Sequence, residues 1–165
     1  MTAATTLGEV RPEHERDGQP SELVQLHYVR GYAVPIVEVW ELLTEPAGVA
    51  QWFGTMTGDP LSRHVQITTA DDCTSDTADV DVTACTSPHL LDVTIAGAMV
   101  DVRLNQIGVV TTLEVTHRHL RREKVSEVGP YWQYYLDRLD AAIGGDPMPV
   151  WADYRQLGAE YRCPG

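Results

Sequence analysis

Apolar positions along the chain follow two periods, and the switches between them outline the elements. From residue 22 to 34 the run is β-prone, with Leu23, Val24, Leu26, Tyr28, Val29 and Tyr32 ahead of Pro35, whose fixed φ suits the first turn of a helix. Ile36, Val39, Trp40 and Leu43 then recur at i, i+3, i+4 and i+7, one helical face. Thr44 before Glu45-Pro46 reads as a cap and restart, so a second short helix is predicted from Pro46 to Trp52, ending before Gly54. Between Thr55 and His119 the pattern alternates. Residues 64–69, 79–85, 90–95, 99–105 and 109–117 each carry apolar side chains two apart, separated by Asp, Ser, Pro or Gly turn signals. Val80, Val82 and Ala84 are predicted to share one face, as are Leu91, Val93 and Ile95, then Val100, Val102 and Leu104, then Leu113 and Val115. An antiparallel meander with one dry and one wet face follows.

Beyond a polar junction at residues 117–124, Gly129-Pro130 opens the longest amphipathic segment. Trp132, Tyr135, Leu136, Leu139 and Ile143 form its apolar stripe, Gln133, Asp137, Arg138 and Asp140 lie opposite, and Gly144-Gly145 ends it, which predicts a helix of about fourteen residues. Residues 1–20 hold only scattered apolar positions and are expected to form a flexible arm. Residues 21–145 make the domain. Residues 146–165 keep Trp151, Tyr154, Leu157 and Tyr161 at helix-like spacing, an aromatic tail expected to pack on it as a short helix. This order is α+β, and the final helix must cover the dry face of the sheet.

Two stretches carry a resemblance. Val39-Trp40-Glu41-Leu42-Leu43-Thr44-Glu45-Pro46 with Gln51-Trp52-Phe53-Gly54, and Gly129-Pro130-Tyr131-Trp132-Gln133-Tyr134-Tyr135-Leu136-Asp137-Arg138-Leu139, resemble the START-like helix-grip superfamily. Within it they are similar to bacterial proteins related to the C-terminal domain of the activator of the heat-shock-protein-90 ATPase. The resemblance covers roughly residues 22–143. It implies a curved antiparallel sheet wrapped around a long C-terminal helix, with a hydrophobic cavity between them of the kind that holds lipids, sterols, polyketides or other apolar molecules. The ligand-contacting residues expected on that fold are Trp52, Phe53, Val102, Leu104, Leu113, Val115, His117, Trp132, Tyr135 and Leu136.

Composition narrows the partners. At 165 residues the chain fits one domain, and 43% apolar with 22% charged residues is ordinary for a globular protein. A net charge of -12 repels phosphate backbones and anionic headgroups, so neither nucleic acid nor a membrane surface is expected as a partner. Cys73, Cys85 and Cys163 are too scattered for a disulfide framework, which with the lack of an apolar leader pattern points to the cytoplasm.

Signatures of chemistry are sparse. G-x-S-x-G, a Walker loop, G-x-G-x-x-G and an EF-hand loop are absent, and His14-Glu15 lacks the second histidine of a zincin motif. His117 and His119, two apart on a predicted strand, would share a face as two metal-ligating imidazoles would, but the plainer reading is a solvated edge beside Arg118, Arg121 and Arg122. His27 reads as a hydrogen-bonded structural histidine rather than a cavity group. Asp71, Asp72, Asp76, Asp79 and Asp81 fit no cation loop and read as a solvated hairpin. Arg118, Arg121, Arg122 and Lys124 form a basic patch for an anionic head or, more simply, for Glu123 and Glu127. Tyr131, Tyr134 and Tyr135, with His117, are the polar groups best placed to orient a ligand. No cofactor and no metal are expected. The leading expectation is a carrier or sensor that binds a small apolar or amphipathic molecule, as monomer or homodimer. The alternatives are a cyclase- or aromatase-like enzyme using polar cavity residues, and a chaperone-associated interaction module.

Overall fold

The computed structural model describes residues 8–13, 22–59, 62–69 and 77–161. Its elements are β1 (Glu9–Pro12), β2 (Leu23–Tyr32), α1 (Ile36–Thr44), α2 (Pro46–Val49), β3 (Gly54–Thr57), β4 (His64–Thr69), β5 (Thr77–Thr86), β6 (Leu90–Ile95), β7 (Ala98–Ile107), β8 (Val110–Arg121) and α3 (Val125–Gly144). All eight strands pair antiparallel in one sheet of order β1-β2-β8-β7-β6-β5-β4-β3. The expected α+β helix-grip architecture is present, a curved sheet with α3 across its concave face and two short helices after β2. Residues 9–12, expected in a loose arm, instead form β1 on β2. Residues 1–7 and 14–20 of that arm, and Asp71, Asp72, Asp76, Cys73 and Cys163, lie outside the described residues.

Period-2 alternation places the core. On β2 the alternate residues Val24, Leu26, Tyr28, Arg30 and Tyr32 are all buried, and Val100, Val102, Leu104, Leu113 and Val115 continue that face across β7 and β8. Two bulges interrupt the pattern where the sequence shows no break. On β5 an extra residue between Val82 and Ala84 makes Ala84 pair with Asp92 and Cys85 with Leu91. Ala84 therefore leaves the dry face expected for it, and Cys85 takes its place. On β8 the pairing steps from Leu26 with His117 to Val24 with Leu120, and His119 takes a positive φ of 56°. His117 points inward and His119 does not, so the two histidines do not share a face.

α3 has 20 residues and starts at Val125, not at Gly129-Pro130. Pro130 sits inside it and withholds one N–H, the usual partner of the Ser126 carbonyl. Gly158 of the tail lies against that oxygen, so closely that a Cβ there would stand 2.6 Å from it. The tail forms two 3-10 turns, Trp151–Asp153 and Arg155–Glu160, rather than one short helix. Trp151 stacks on Tyr131 at 4.9 Å, and the Tyr161 ring occupies the space a side chain at Gly129 would fill. Gln133, expected on a solvated face, is fully buried because Tyr161 donates to its Oε1 at 2.8 Å.

β2 and α3 are joined by charge as well. Arg30 Nη1 donates to Asp137 Oδ1 at 2.8 Å and to Asp140 Oδ2 at 2.6 Å, with Arg30 and Asp137 side chains only 8% and 11% exposed. Tyr32 donates to Asp140 and Tyr154 to Asp137, so both carboxylates are satisfied. Removing the cation leaves two neighbouring carboxylates without a counter-charge. Arg30→Ala is expected to lower the unfolding free energy by about 3 kcal/mol, the scale for breaking a buried pair; urea denaturation of both proteins measures it.

Candidate functional site

β2 and β8 touch α3 directly, whereas the far strands curve away from it. Between those strands, the α1–α2 corner and α3 lies a cavity of about 360 Å³, within the range of about 300–1,000 Å³ typical of small-molecule sites. α1, α2 and the turn after them supply Leu43, Thr44, Val49, Trp52 and Phe53. Val65, Ile67, Val80 and Val93 wall it from β4 to β6, Val102 and Val115 from β7 and β8, and Trp132 and Leu136 from α3.

Each wall is held by bonds that the local sequence dictates. Thr44 donates its hydroxyl back to the Trp40 carbonyl and ends α1. Gly48 lets α2 cross close to α1, since a Cβ there would stand 2.2 Å from the Glu41 carbonyl oxygen. Trp52 Nε1 donates to the Leu42 carbonyl at 2.7 Å, and Arg138 Nε of α3 donates to the Trp52 carbonyl at 2.7 Å. Phe53 packs between Trp52 and Tyr135, with ring centroids 5.1 and 5.0 Å away.

Of the ten expected contact residues, Trp52, Phe53, Val102, Val115, Trp132 and Leu136 line the cavity. Leu104 and Leu113 do not; both are almost fully buried in the core. Tyr135 backs Phe53, and His117 backs Trp132. Tyr131 and Tyr134 face the tail, against Trp151 and Tyr154. His27 is bonded to Thr116 at 2.9 Å, away from the cavity. The basic patch is taken up by acids, Arg118 by Asp101, Arg121 by Glu123 and Lys124 by Glu127. Among the described residues no group of three or more His, Cys, Asp or Glu is placed to hold a metal ion, and no helix is long and apolar enough to cross a membrane.

Sequence reasoning missed the outer wall. Val65 and Ile67 were legible as an alternating pair, yet nothing in the pattern put β4 opposite α2. The register shift that turns Cys85 inward has no sequence mark. Arg63 was missed because it precedes its strand, although Val82 N–H donates to its carbonyl at 2.8 Å and extends the ladder by one rung. A separate depression between α1, α2 and the end of α3 is lined in part by Glu38, Glu41 and Glu45.

Comparison with known proteins places this geometry. The model of the family described as Activator of Hsp90 ATPase homolog 1-like protein matches residues 33–144. The crystal structure of CalU16 from Micromonospora echinospora is similar over 96% of both chains, with 27% identity and a TM-score of 0.72. DynU16, a protein in the dynemicin biosynthetic locus, shares the fold over 79% of this chain and 51% of its own, at 24% identity and a TM-score of 0.60. The Aha1 dimer from Colwellia psychrerythraea shares it over 72% of this chain and 95% of its own, at 14% identity and a TM-score of 0.59. No curated protein matches.

His117 gives the site a pH dependence. Trp132 Nε1 donates to His117 Nδ1 at 3.0 Å, which requires a neutral imidazole with its proton on Nε2. Burial pushes the His117 pKa below its ordinary value, opposed in part by the charge of Glu13. A depressed folded pKa means that the unfolded chain binds the proton more readily. The stabilisation is therefore complete above the ordinary value near 6.5 and is lost as pH falls below it. Between pH 7.5 and 5.5 the melting temperature of the wild type is expected to drop about 2–4 °C more than that of His117→Gln, which keeps an acceptor and does not titrate. Thermal melts at both pH values decide it; equal drops would show that burial does not depress the His117 pKa in the folded protein.

Proposed function

The chain belongs to the family of Activator of Hsp90 ATPase homolog 1-like proteins, and from that premise we propose that it binds a small apolar or amphipathic molecule between the sheet and α3, as a carrier or sensor. The observation that carries this reading is the lining. Among the described residues, seventeen of its twenty side chains are apolar, around a space of about 360 Å³. Close-packed interiors leave few voids larger than a water molecule, and an apolar void is destabilising unless something occupies it. Trp52, Phe53, Trp132 and Leu136 supply the aromatic and aliphatic contacts, with Val102 and Val115 as the floor. Leu104, Leu113, Tyr135 and His117 hold those residues in place from behind.

Bond chemistry is not needed for this role. The non-apolar lining residues are Thr44, Arg63 and Cys85, and the Trp132 N–H is already engaged by His117. The free, exposed thiol of Cys85 suits a reducing compartment, so we place the activity in the cytoplasm.

The uncharged fluorophore N-phenyl-1-naphthylamine is expected to bind the wild type with an emission increase. Val93→Phe, which fills the cavity from β6, is expected to weaken that binding by about tenfold or more. Val29→Phe, on an exposed position of β2, is expected to leave it unchanged. Fluorescence titration of the three proteins, each checked by melting temperature, measures this. Equal binding by the Val93→Phe variant would remove the cavity as the site.

A further inference from the structure

We propose that Arg63 is the anion anchor of the cavity and that the molecule taken up is an apolar monocarboxylate, its body among the valines and aromatics and its head on the Arg63 guanidinium. The inference rests on the binding reading above and narrows its ligand class.

Among the described residues, Arg63 is the one charged residue in the lining. Its position follows from register. Residues 63, 65 and 67 alternate along one face, and Val65 and Ile67 of that set are buried against the cavity. The bond from Val82 N–H places Arg63 opposite Val82, itself a lining residue. Three residues further along β5, beyond the bulge, Cys85 is exposed on the same lining, so the two mark its open end.

Among the described residues its charge is uncommitted. The chain carries twenty-four acidic residues against twelve basic ones, and Arg11, Arg30, Arg103, Arg118, Arg121 and Lys124 each sit within 4 Å of a carboxylate. Arg63 makes no such pair among the described residues. Its backbone also takes a φ of 62°, in the left-handed region that disfavours a residue with a side chain and suits glycine. Glycine or asparagine would suit the turn better, so an arginine there implies a use for its side chain.

A single guanidinium matches one carboxylate, which it can hold through two parallel hydrogen bonds. A dianionic phosphate head would meet one cation in the field of a protein with net charge -12. The head must also stay hydrated in part, because Arg63 is exposed, whereas the body behind it meets apolar walls. That division of polarity is the amphiphile's own.

The test uses the full-length chain with decanoate and 1-decanol, equal in chain length and different in charge, each displacing N-phenyl-1-naphthylamine. Decanoate is expected to bind the wild type about tenfold more tightly than decanol, and Arg63→Gln to abolish that preference without changing decanol. Arg63→Lys is expected to restore part of it, and raising the salt concentration to weaken decanoate alone. In a Cys73→Ser, Cys163→Ser variant, bound decanoate is expected to slow alkylation of Cys85 by N-ethylmaleimide. Equal affinity for the two ligands, an Arg63→Gln variant that keeps the preference, or unprotected Cys85 with decanoate bound would each overturn the anchor while leaving the cavity intact. Failure of decanol and the naphthylamine to bind at all would instead remove the binding reading and the anchor with it.

Discussion

Arg30 lies under α3 between Asp137 and Asp140, and that placement decides which flank of the helix is solid and which is hollow. A guanidinium buried to this degree requires its two carboxylates within hydrogen-bond reach, so β2 and α3 cannot separate without exposing unpaired charge. Tyr32 and Tyr154 add donors to the same carboxylates from the sheet and from the tail. The helix is thus fixed to one side of a curved sheet. On its other side the strands bend away faster than Trp132 and Leu136 can fill, and the remaining space is the cavity. A hollow on one flank is tolerated because the opposite flank is closed by polar contacts that have a specific geometry.

The tail belongs to the same device. Pro130 costs α3 a backbone hydrogen bond and Gly129 removes a side chain, both of which weaken a helix taken by itself. Together they make a notch into which Tyr161 and Gly158 fit. Within it the Tyr28 hydroxyl lies 2.9 Å from the Gly129 carbonyl and 3.0 Å from the Tyr161 hydroxyl, and Tyr161 accepts from the Gly8 N–H at 3.2 Å. Segments near both ends of the chain therefore meet over the N-terminal half of α3, on the flank away from the cavity. The described part of the tail, residues 146–161, braces the wall and contributes nothing to the cavity lining.

How much of this was legible in the sequence depends on whether a feature is local. The helical spacing of Ile36, Val39, Trp40 and Leu43, and the alternation through β6 and β7, depend on near neighbours, and these elements lie close to where the pattern puts them. The bulges at Val82/Ala84 and at His119 depend on what the partner strand offers, so a strict period of two misassigned Ala84, Cys85 and His119. Gly129-Pro130 looked like a helix start because that pair usually is one. Val125 and Val128 bury the preceding turn, and this tertiary gain outweighs the lost N–H. Gln133 and Asp137 looked solvated because no local rule reveals a tail folding back onto them.

The site shows the same division. The cavity residues nearest the two sequence signatures, Trp52, Phe53, Trp132 and Leu136, were legible because those signatures encode the packing of α1, α2 and α3. The wall from Met56 to Cys85 was not, since it faces the helix only after β3, β4 and β5 have curled back, and its direction is set by pairing five to seven strands away from β1. Polarity follows this geometry as well. Side chains deep in the cavity come from strand centres and helix faces, where burial selects valine, leucine and tryptophan. Arg63 and Cys85 come from a strand entry and a position past a bulge, where the lining reaches solvent. A ligand that matched both environments would need its own charge at one end, and in the proposed binding role its orientation would follow from where the sheet stops being regular.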